Sequence, residues 1–492
     1  MSVSSQSRNP HHTDLLPTHR DLYYGGAWHK PKGGYAETIN PATGASLGQC
    51  ADANAEDVNA AAEAAHQAFL SWRRTAPGVR AEALREISAV MRANKEELAM
   101  VDAMNCGNPV KALMHDVDLS TQLIDYFAGL VYEQRGSTIP MGEDIVNMTV
   151  REPFGVCARI VAYNHPLMFT ASRMAPAVAA GNTVIMKPPV QAPLSALRLM
   201  ELIDGILPPG VMNVLTGGLA CGEALVDHRL IPKVTLIGSI PTGKAIARGA
   251  ANHLKHVSLE LGGKNALILY PDADLPRAIA GAVSGMCFTW CGQACSSTSR
   301  LFVHESIYDE VVAGVIEGVK AFRPGIPTDM DTTMGAIVSQ AQFDKIMSYV
   351  ELGKQEGAKL VAGGKRPDDP ALANGFFIEP TVFVDVTMKM KIAQEEIFGP
   401  VLSIIKWSDE DAMFEDVNNV DYGLAAGIYT TNLAIAHRAA SRVEAGYVWV
   451  NNAARHFFPA PFGGTKQSGN NREESFEELL AYTQVKNIHI NL

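Results

Sequence analysis

Apolar residues recur at helical spacing early in the chain. Val58, Ala61, Ala62, Ala65 and Phe69 mark one face of a helix, with Asn54 as its N-cap and Asp57 in its first turn. Helical patterning covers 51–116. Within it a second helix occupies 80–94, after a break at Pro77 and Gly78, and 117–135 continues helical. Over 145–159 the pattern changes to β-branched alternation interrupted by Pro153 and Gly155, which predicts strands.

From Ala158 onward short apolar runs alternate with helical segments. Strands are expected at 159–162, 183–187, 212–215, 234–237 and 257–261. Helices are expected at 166–180, 192–206 and 244–253. Pro166 suits a first helical turn, and Gly181 a helix stop. After Gly262 and Gly263 the alternation resumes, with helices at 275–290 and 307–322. Strands follow at 266–270, 301–304, 359–362, 401–405, 425–429 and 447–450. This order implies an α/β fold with parallel sheets covered by helices on both faces. The run 485–490 is a short apolar strand suited to pairing with another edge. No internal repeat breaks the pattern.

The chain has 492 residues, 47% hydrophobic and 19% charged, a globular composition with room for two or three domains. Lys plus Arg total 41 and Asp plus Glu 52, giving a formal net charge of −11. Such a chain lacks the basic footprint of a nucleic-acid binder and any basic run for an anionic membrane. No apolar run nears the roughly 18 residues of a membrane span. Residues 1–20 are polar and carry no secretory pattern, which reads as a loose arm. Seven cysteines, odd in number and sparse, suit a reducing compartment, and a cytoplasmic location is expected.

Three local features could carry chemistry. The first is the cluster Cys287, Cys291 and Cys295, the last following Gly292, Gln293 and Ala294. A cysteine just past a helix, beside Gly and Gln, suits a nucleophile, since the thiolate is the reactive form. Three helix-spaced cysteines packed as small apolar residues fit the spacing equally well. The three-residue gaps differ from zinc-site spacing, and no metal is expected. The second is Glu260, at the end of an apolar strand, where burial would raise a carboxyl toward a general base's range. A surface glutamate is the plainer alternative, although strand ends are where α/β sheets build sites. The third is the turn from Gly238 to Lys244, which follows a strand and opens a helix as an anion-cradling loop does. Ala245 stands where a triphosphatase loop needs a hydroxyl, which weakens that reading.

Together these segments resemble the NAD(P)-dependent aldehyde dehydrogenase superfamily, from about Leu22 to the C-terminus. Seven landmarks occur in the family's order: Tyr163 to Pro166, Met186 to Pro188, Gly238 with Ser239, Leu259 to Lys264, Gly292 to Cys295, Glu395 to Pro400, and Pro461 to Gly469. The resemblance implies a Rossmann-type coenzyme domain over 1–130 and 154–262. It implies a catalytic α/β domain over 263–467, and an oligomerisation strand element from 131–153 and 468–492.

It also implies roles. Cys295 would be the nucleophile, Glu260 the general base, and the Asn164 amide with the Cys295 N–H an oxyanion hole. Lys187, Val190, Gly238, Ser239, Glu396, Phe398 and Tyr163 would face NAD or NADP. Glu473 would serve a proton relay. His165, Phe169, Trp290, Cys291, His456, Phe457 and Phe462 are candidate substrate walls, with core packing as the alternative for the aromatics. The implied partners are a small aldehyde and further copies of the chain, as a homotetramer or homodimer.

Four departures from the family pattern stand out. Val190 stands where NAD-preferring members often carry Glu, which makes NADP tolerable. His165 replaces an aromatic, Ser172 a larger residue, and Asn470 with Asn471 the usual Gly. These changes suggest a wider or more polar tunnel. A coenzyme-A-acylating enzyme of the same fold lacks the base that Glu260 would supply. A silent binding protein on this fold would have lost site residues. Aromatic, aliphatic and amino-aldehydes all remain open as substrates.

Overall fold

A computed structural model describes residues 13–492. The first twelve residues of the expected N-terminal arm lie outside the described residues. Its last part is not loose. The Thr18 hydroxyl donates to Glu201 at 2.8 Å, and His19 stacks on Trp28 at 4.6 Å.

Two seven-stranded sheets organise the chain. The first runs, in spatial order, His256–Glu260, Lys233–Ile237, Val156–Ile160, Thr183–Lys187, Met212–Val214, Leu22–Tyr24 and Ala27–His29. Its first five strands are parallel, and the N-terminal hairpin closes the edge in antiparallel fashion. Every residue of Thr183–Lys187 is buried, because helices cover both faces; hence the continuous apolar run rather than alternation. The second sheet runs Lys359–Ala362, Thr381–Val384, Val401–Trp407, Arg300–His304, Ala266–Leu269, Ala425–Tyr429 and Tyr447–Val450, parallel except at its first pair. Each sheet has its own buried apolar core.

Several elements differ from the sequence reading, each for a local reason. The helix expected at 166–180 splits into Pro166–Ser172 and Ala175–Ala179. Pro176 has no N–H to continue the ladder to residue 172. The helix expected at 275–290 ends at Gly285. Cys287 and Cys291 then both take left-handed φ of 55° around the short turn Phe288–Trp290. The hairpin Leu22–Tyr24 with Ala27–His29 and the pair Tyr35–Ile39 with Ser46–Ala51 were not anticipated, since three- to six-residue runs give little periodicity.

Ile145–Pro153 is not an edge. It is the middle strand of a small antiparallel sheet, between Thr138–Pro140 and Thr483–Asn491. The C-terminal strand therefore finds its partner within the chain, in register from Thr483 opposite Pro153 to Asn491 opposite Ile145. Its outer edge stays open, with Val485 and Ile490 exposed.

A buried ionic cluster fastens the C-terminal segment to the first sheet. Arg159, on the strand Val156–Ile160, pairs with Glu473 and donates to the Tyr482 hydroxyl at 3.2 Å. Arg173 meets Glu474 at 2.8 Å and Glu473 at 3.3 Å, with Glu478 at 3.5 Å. All five charged side chains are buried. Burial alone would raise the Glu474 carboxyl, but His456 and Arg173 hold it down at about 2. Removing one member leaves its partners as uncompensated buried charge, which costs about 3–5 kcal/mol. Arg159→Met should therefore lower stability by that order, read as a shift of the urea unfolding midpoint at unchanged slope.

Candidate active site

Cys295 sits just past the turn Phe288–Trp290, and its loop is held from behind by Asn265. The Asn265 amide donates to Cys295 O at 2.7 Å and to Ser297 O at 2.9 Å, while its Oδ1 accepts from the Ala425 N–H at 3.0 Å. Gly292 has φ of 65°, and a Cβ there would lie 2.2 Å from Gly399 O, so only glycine fits the approach. No backbone acceptor among the described residues claims the Cys295 N–H.

Glu260 ends the strand His256–Glu260 and is 4% exposed. The segment at 468–470 zips along this strand. The Leu261 N–H donates to Ser468 O at 3.0 Å, and Asn470 both donates to Leu259 O and accepts from the Leu259 N–H. Glu260 Oε1 has no hydrogen-bond partner in the protein. Burial, and then the charge on Glu473, push its carboxyl well above the usual range. Burial, and then Glu260, push the Cys295 thiol well above its usual value. The two groups face each other with their ionised forms disfavoured. Asn164 is buried beside them. Its carbonyl accepts from Asn108 at 2.7 Å, while its side-chain Oδ1 makes no bond within the protein.

Two cavities of about 690 and 680 Å³ converge here, and Ile237 lines both. The first is a groove past Tyr163, Lys187, Val190, Gly238 and Ser239. Ser239 caps the helix Ile240–Ala251 by accepting from the Thr242 N–H, which leaves a helix N-terminus facing the groove. A dinucleotide's pyrophosphate suits that end. Lys187 is nearly fully buried, and no side chain or carbonyl among the described residues bonds its ammonium, which suits a polar ligand such as a ribose. Glu396 accepts from the Gly263 N–H at 2.9 Å and lies against Gly262. Phe398 does not line the groove but packs edge-on against Tyr163 at 5.8 Å.

The second cavity is a tunnel reaching Cys295, Glu260, Asn164 and Glu473. His165, Phe169, Trp290, His456, Phe457 and Phe462 line it, as the sequence suggested. Cys291 does not. It is fully buried in the core of the second sheet, and the left-handed backbone at Cys287 turns Cys287 into the tunnel instead. Ser172 bonds back to Met168 O at 2.6 Å and forms no wall. Asn470 is spent on strand pairing, so neither it nor Asn471 widens the tunnel. Asp116, Arg173, Arg455 and Glu474 were missed as tunnel residues, and Glu223 and Asp227 as groove residues. They come from helices and loops whose inward faces only packing reveals.

The aldehyde dehydrogenase family profile matches residues 28–488. The chain belongs to the aldehyde dehydrogenase family. It is 51% identical to the aldehyde dehydrogenase tropH of Talaromyces stipitatus, covering 97% of this chain and 95% of that one. It is 39% identical to a betaine aldehyde dehydrogenase of Brucella anthropi, covering 96% and 97%. The fold superposes on the NAD+ complex of an aldehyde dehydrogenase from Bacillus cereus with a TM-score of 0.95, at 38% identity over 99% of this chain and 100% of that one. This aldehyde dehydrogenase is an oxidoreductase that oxidises an aldehyde with NAD or NADP. No helix among the described residues is long and apolar enough to cross a membrane.

The mutual influence of Glu260 and Cys295 has a measurable sign. A carboxylate beside a thiol disfavours the thiolate, so removing it lowers the thiol's pKa. In Glu260→Gln the pH profile of iodoacetamide alkylation at Cys295 should shift to lower pH. An unshifted profile would show that the two groups are uncoupled.

Proposed function

We propose that Cys295 attacks the aldehyde and Glu260 later activates water, making this a non-acylating enzyme that releases a carboxylic acid. One observation carries the reading: a thiol and an unpartnered buried carboxyl sit where a coenzyme-sized groove meets an aromatic tunnel. Cys295 gives up its proton to solvent, and the thiolate sulfur adds to the carbonyl carbon, forming a thiohemiacetal. The resulting oxyanion lies within reach of two donors that have no other protein acceptor, the Cys295 N–H and the Asn164 amide. Lys187, Ser239 and Glu396 would hold a nicotinamide coenzyme, which would supply the two-electron oxidation by accepting hydride from this adduct and so leave a thioester on Cys295. Glu260 then takes a proton from water, hydroxide displaces the sulfur, and Cys295 is regenerated. A raised carboxyl pKa suits that base near neutral pH. Glu473, ion-paired with Arg159 and Arg173, is the carboxylate that communicates with Glu260 by charge. The presence of Glu260 disfavours the coenzyme-A-acylating alternative.

The finer assignments follow from the same reading. The first sheet with its helices is the coenzyme domain, the second is the catalytic domain, and the three-stranded sheet is the oligomerisation element. The open edge of Thr483–Asn491 supports assembly into a dimer or tetramer. Seven unpaired cysteines support a reducing, cytoplasmic location.

Cys295→Ala should abolish dehydrogenase activity while coenzyme still binds, measured by absorbance at ~340 nm and by coenzyme titration. Glu260→Gln should lower turnover by ~10²–10⁴-fold and leave a single-turnover burst of reduced coenzyme. Unchanged steady-state rates in either variant would overturn the assignment.

Val190 is 47% exposed in the groove and offers no charge to a ribose 2′-phosphate. Lys187 can pair with that phosphate through a charge-assisted bond of about 1.5–3 kcal/mol. NADP should therefore support turnover alongside NAD. Val190→Glu should weaken NADP far more than NAD, because like charges at close range repel. Equal weakening of both coenzymes in titrations would refute the role of Val190.

A further inference from the structure

Two histidines on the tunnel wall are each oriented by a buried carboxylate. His165 Nδ1 lies 2.6 Å from Asp116 Oδ2, and His456 Nδ1 lies 3.0 Å from Glu474 Oε2. Both carboxylates are almost fully buried, so the imidazoles are held rather than free to turn. A carboxylate can only accept, so each Nδ1 carries the proton. In the neutral ring Nε2 is then the acceptor. No protein group among the described residues bonds the Nε2 of either ring. The imidazoles also stand among π faces. His165 lies 5.4 Å from Phe169 and 5.5 Å from Trp290, and His456 lies 4.2 Å from Phe462.

We propose that the tunnel selects aldehydes borne on a planar, unsaturated ring that carries hydroxyl groups, with His165 and His456 accepting hydrogen bonds from those hydroxyls. This rests on the reading of Cys295 as the reacting group at the tunnel's end. An aliphatic aldehyde would fill the aromatic walls but desolvate two unpaired nitrogen lone pairs, each at a cost of about tenfold in binding. A cationic aldehyde without an N–H, such as a quaternary ammonium, would leave both Nε2 lone pairs unpaired. A hydroxylated ring satisfies the π faces and the lone pairs together. Asp116 and Glu474 act as positioning residues, fixing which nitrogen of each imidazole faces the tunnel.

The test compares 4-hydroxybenzaldehyde, 3,4-dihydroxybenzaldehyde, 4-methoxybenzaldehyde and hexanal on the native enzyme, His165→Phe, His165→Gln and His456→Phe. The pH is kept below the phenol's own pKa. The methoxy probe matches the hydroxyl in electron donation, adds one methyl group, and cannot donate a hydrogen bond. Native enzyme should favour the hydroxylated rings over the methoxy ring by about tenfold in kcat/KM, mostly through KM. Each Phe variant should bring that ratio toward one, and His165→Gln, which keeps an acceptor, should restore part of it. Equal native values for hydroxy and methoxy probes, a preference for hexanal, or a ratio unchanged in both Phe variants would overturn the proposal.

Failure of the Cys295 reading looks different, because then Cys295→Ala still turns the probes over. Calorimetric titration of 4-hydroxybenzoate against 4-methoxybenzoate still reads the tunnel in that case. Tighter binding of the hydroxy acid supports the proposal, and equal binding overturns it.

Discussion

Burial penalises the ionised forms of Glu260, Glu396 and Cys295, which gather where the carboxyl end of the first sheet meets the amino end of the second. The rest of the site depends on this. A thiol whose ionised form is disfavoured is protected from side reactions. A carboxylate whose proton affinity is raised by burial can take a proton instead of pairing permanently with a cation. The fold leaves Glu260 Oε1 and the Asn164 side-chain Oδ1 buried without protein partners, an arrangement that costs stability.

The cost is offset close by. Two guanidiniums and three carboxylates form a compact buried cluster, and they tie the C-terminal segment to a strand of the first sheet. That segment also carries the residues that zip along the strand bearing Glu260. Positioning of Glu260 therefore depends on chain more than 200 residues away in sequence. The same cluster reaches the tunnel through Glu474 and His456, so anchoring of the C-terminus and shaping of the tunnel wall share side chains. Glu474 itself holds a left-handed φ of 65°, unusual for a side chain of that size. The ionic contacts fix it there.

The groove and the tunnel meet at Ile237, the last residue of the strand Lys233–Ile237. Strand ends in a parallel sheet point toward one crevice, so the two cavities meet at the same strand end.

The sequence by itself determined the family, the alternation of parallel strands with helices, and the residues with chemistry to offer. Cys295, Glu260, Asn164 and Lys187 stand in short motifs whose order is local information, and fully buried strands announce themselves as apolar runs. Only the tertiary structure decided which neighbours those residues meet. The left-handed turns at Cys287 and Cys291 exchange which cysteine faces the tunnel, and no helical period reveals such a reversal. The pairing of Ile145–Pro153 with Thr483–Asn491 joins segments whose patterns each read only as strands, because an isolated strand carries no sign of its partner. The carboxylates behind His165 and His456 come from distant helices and loops, and their inward direction is set by packing alone.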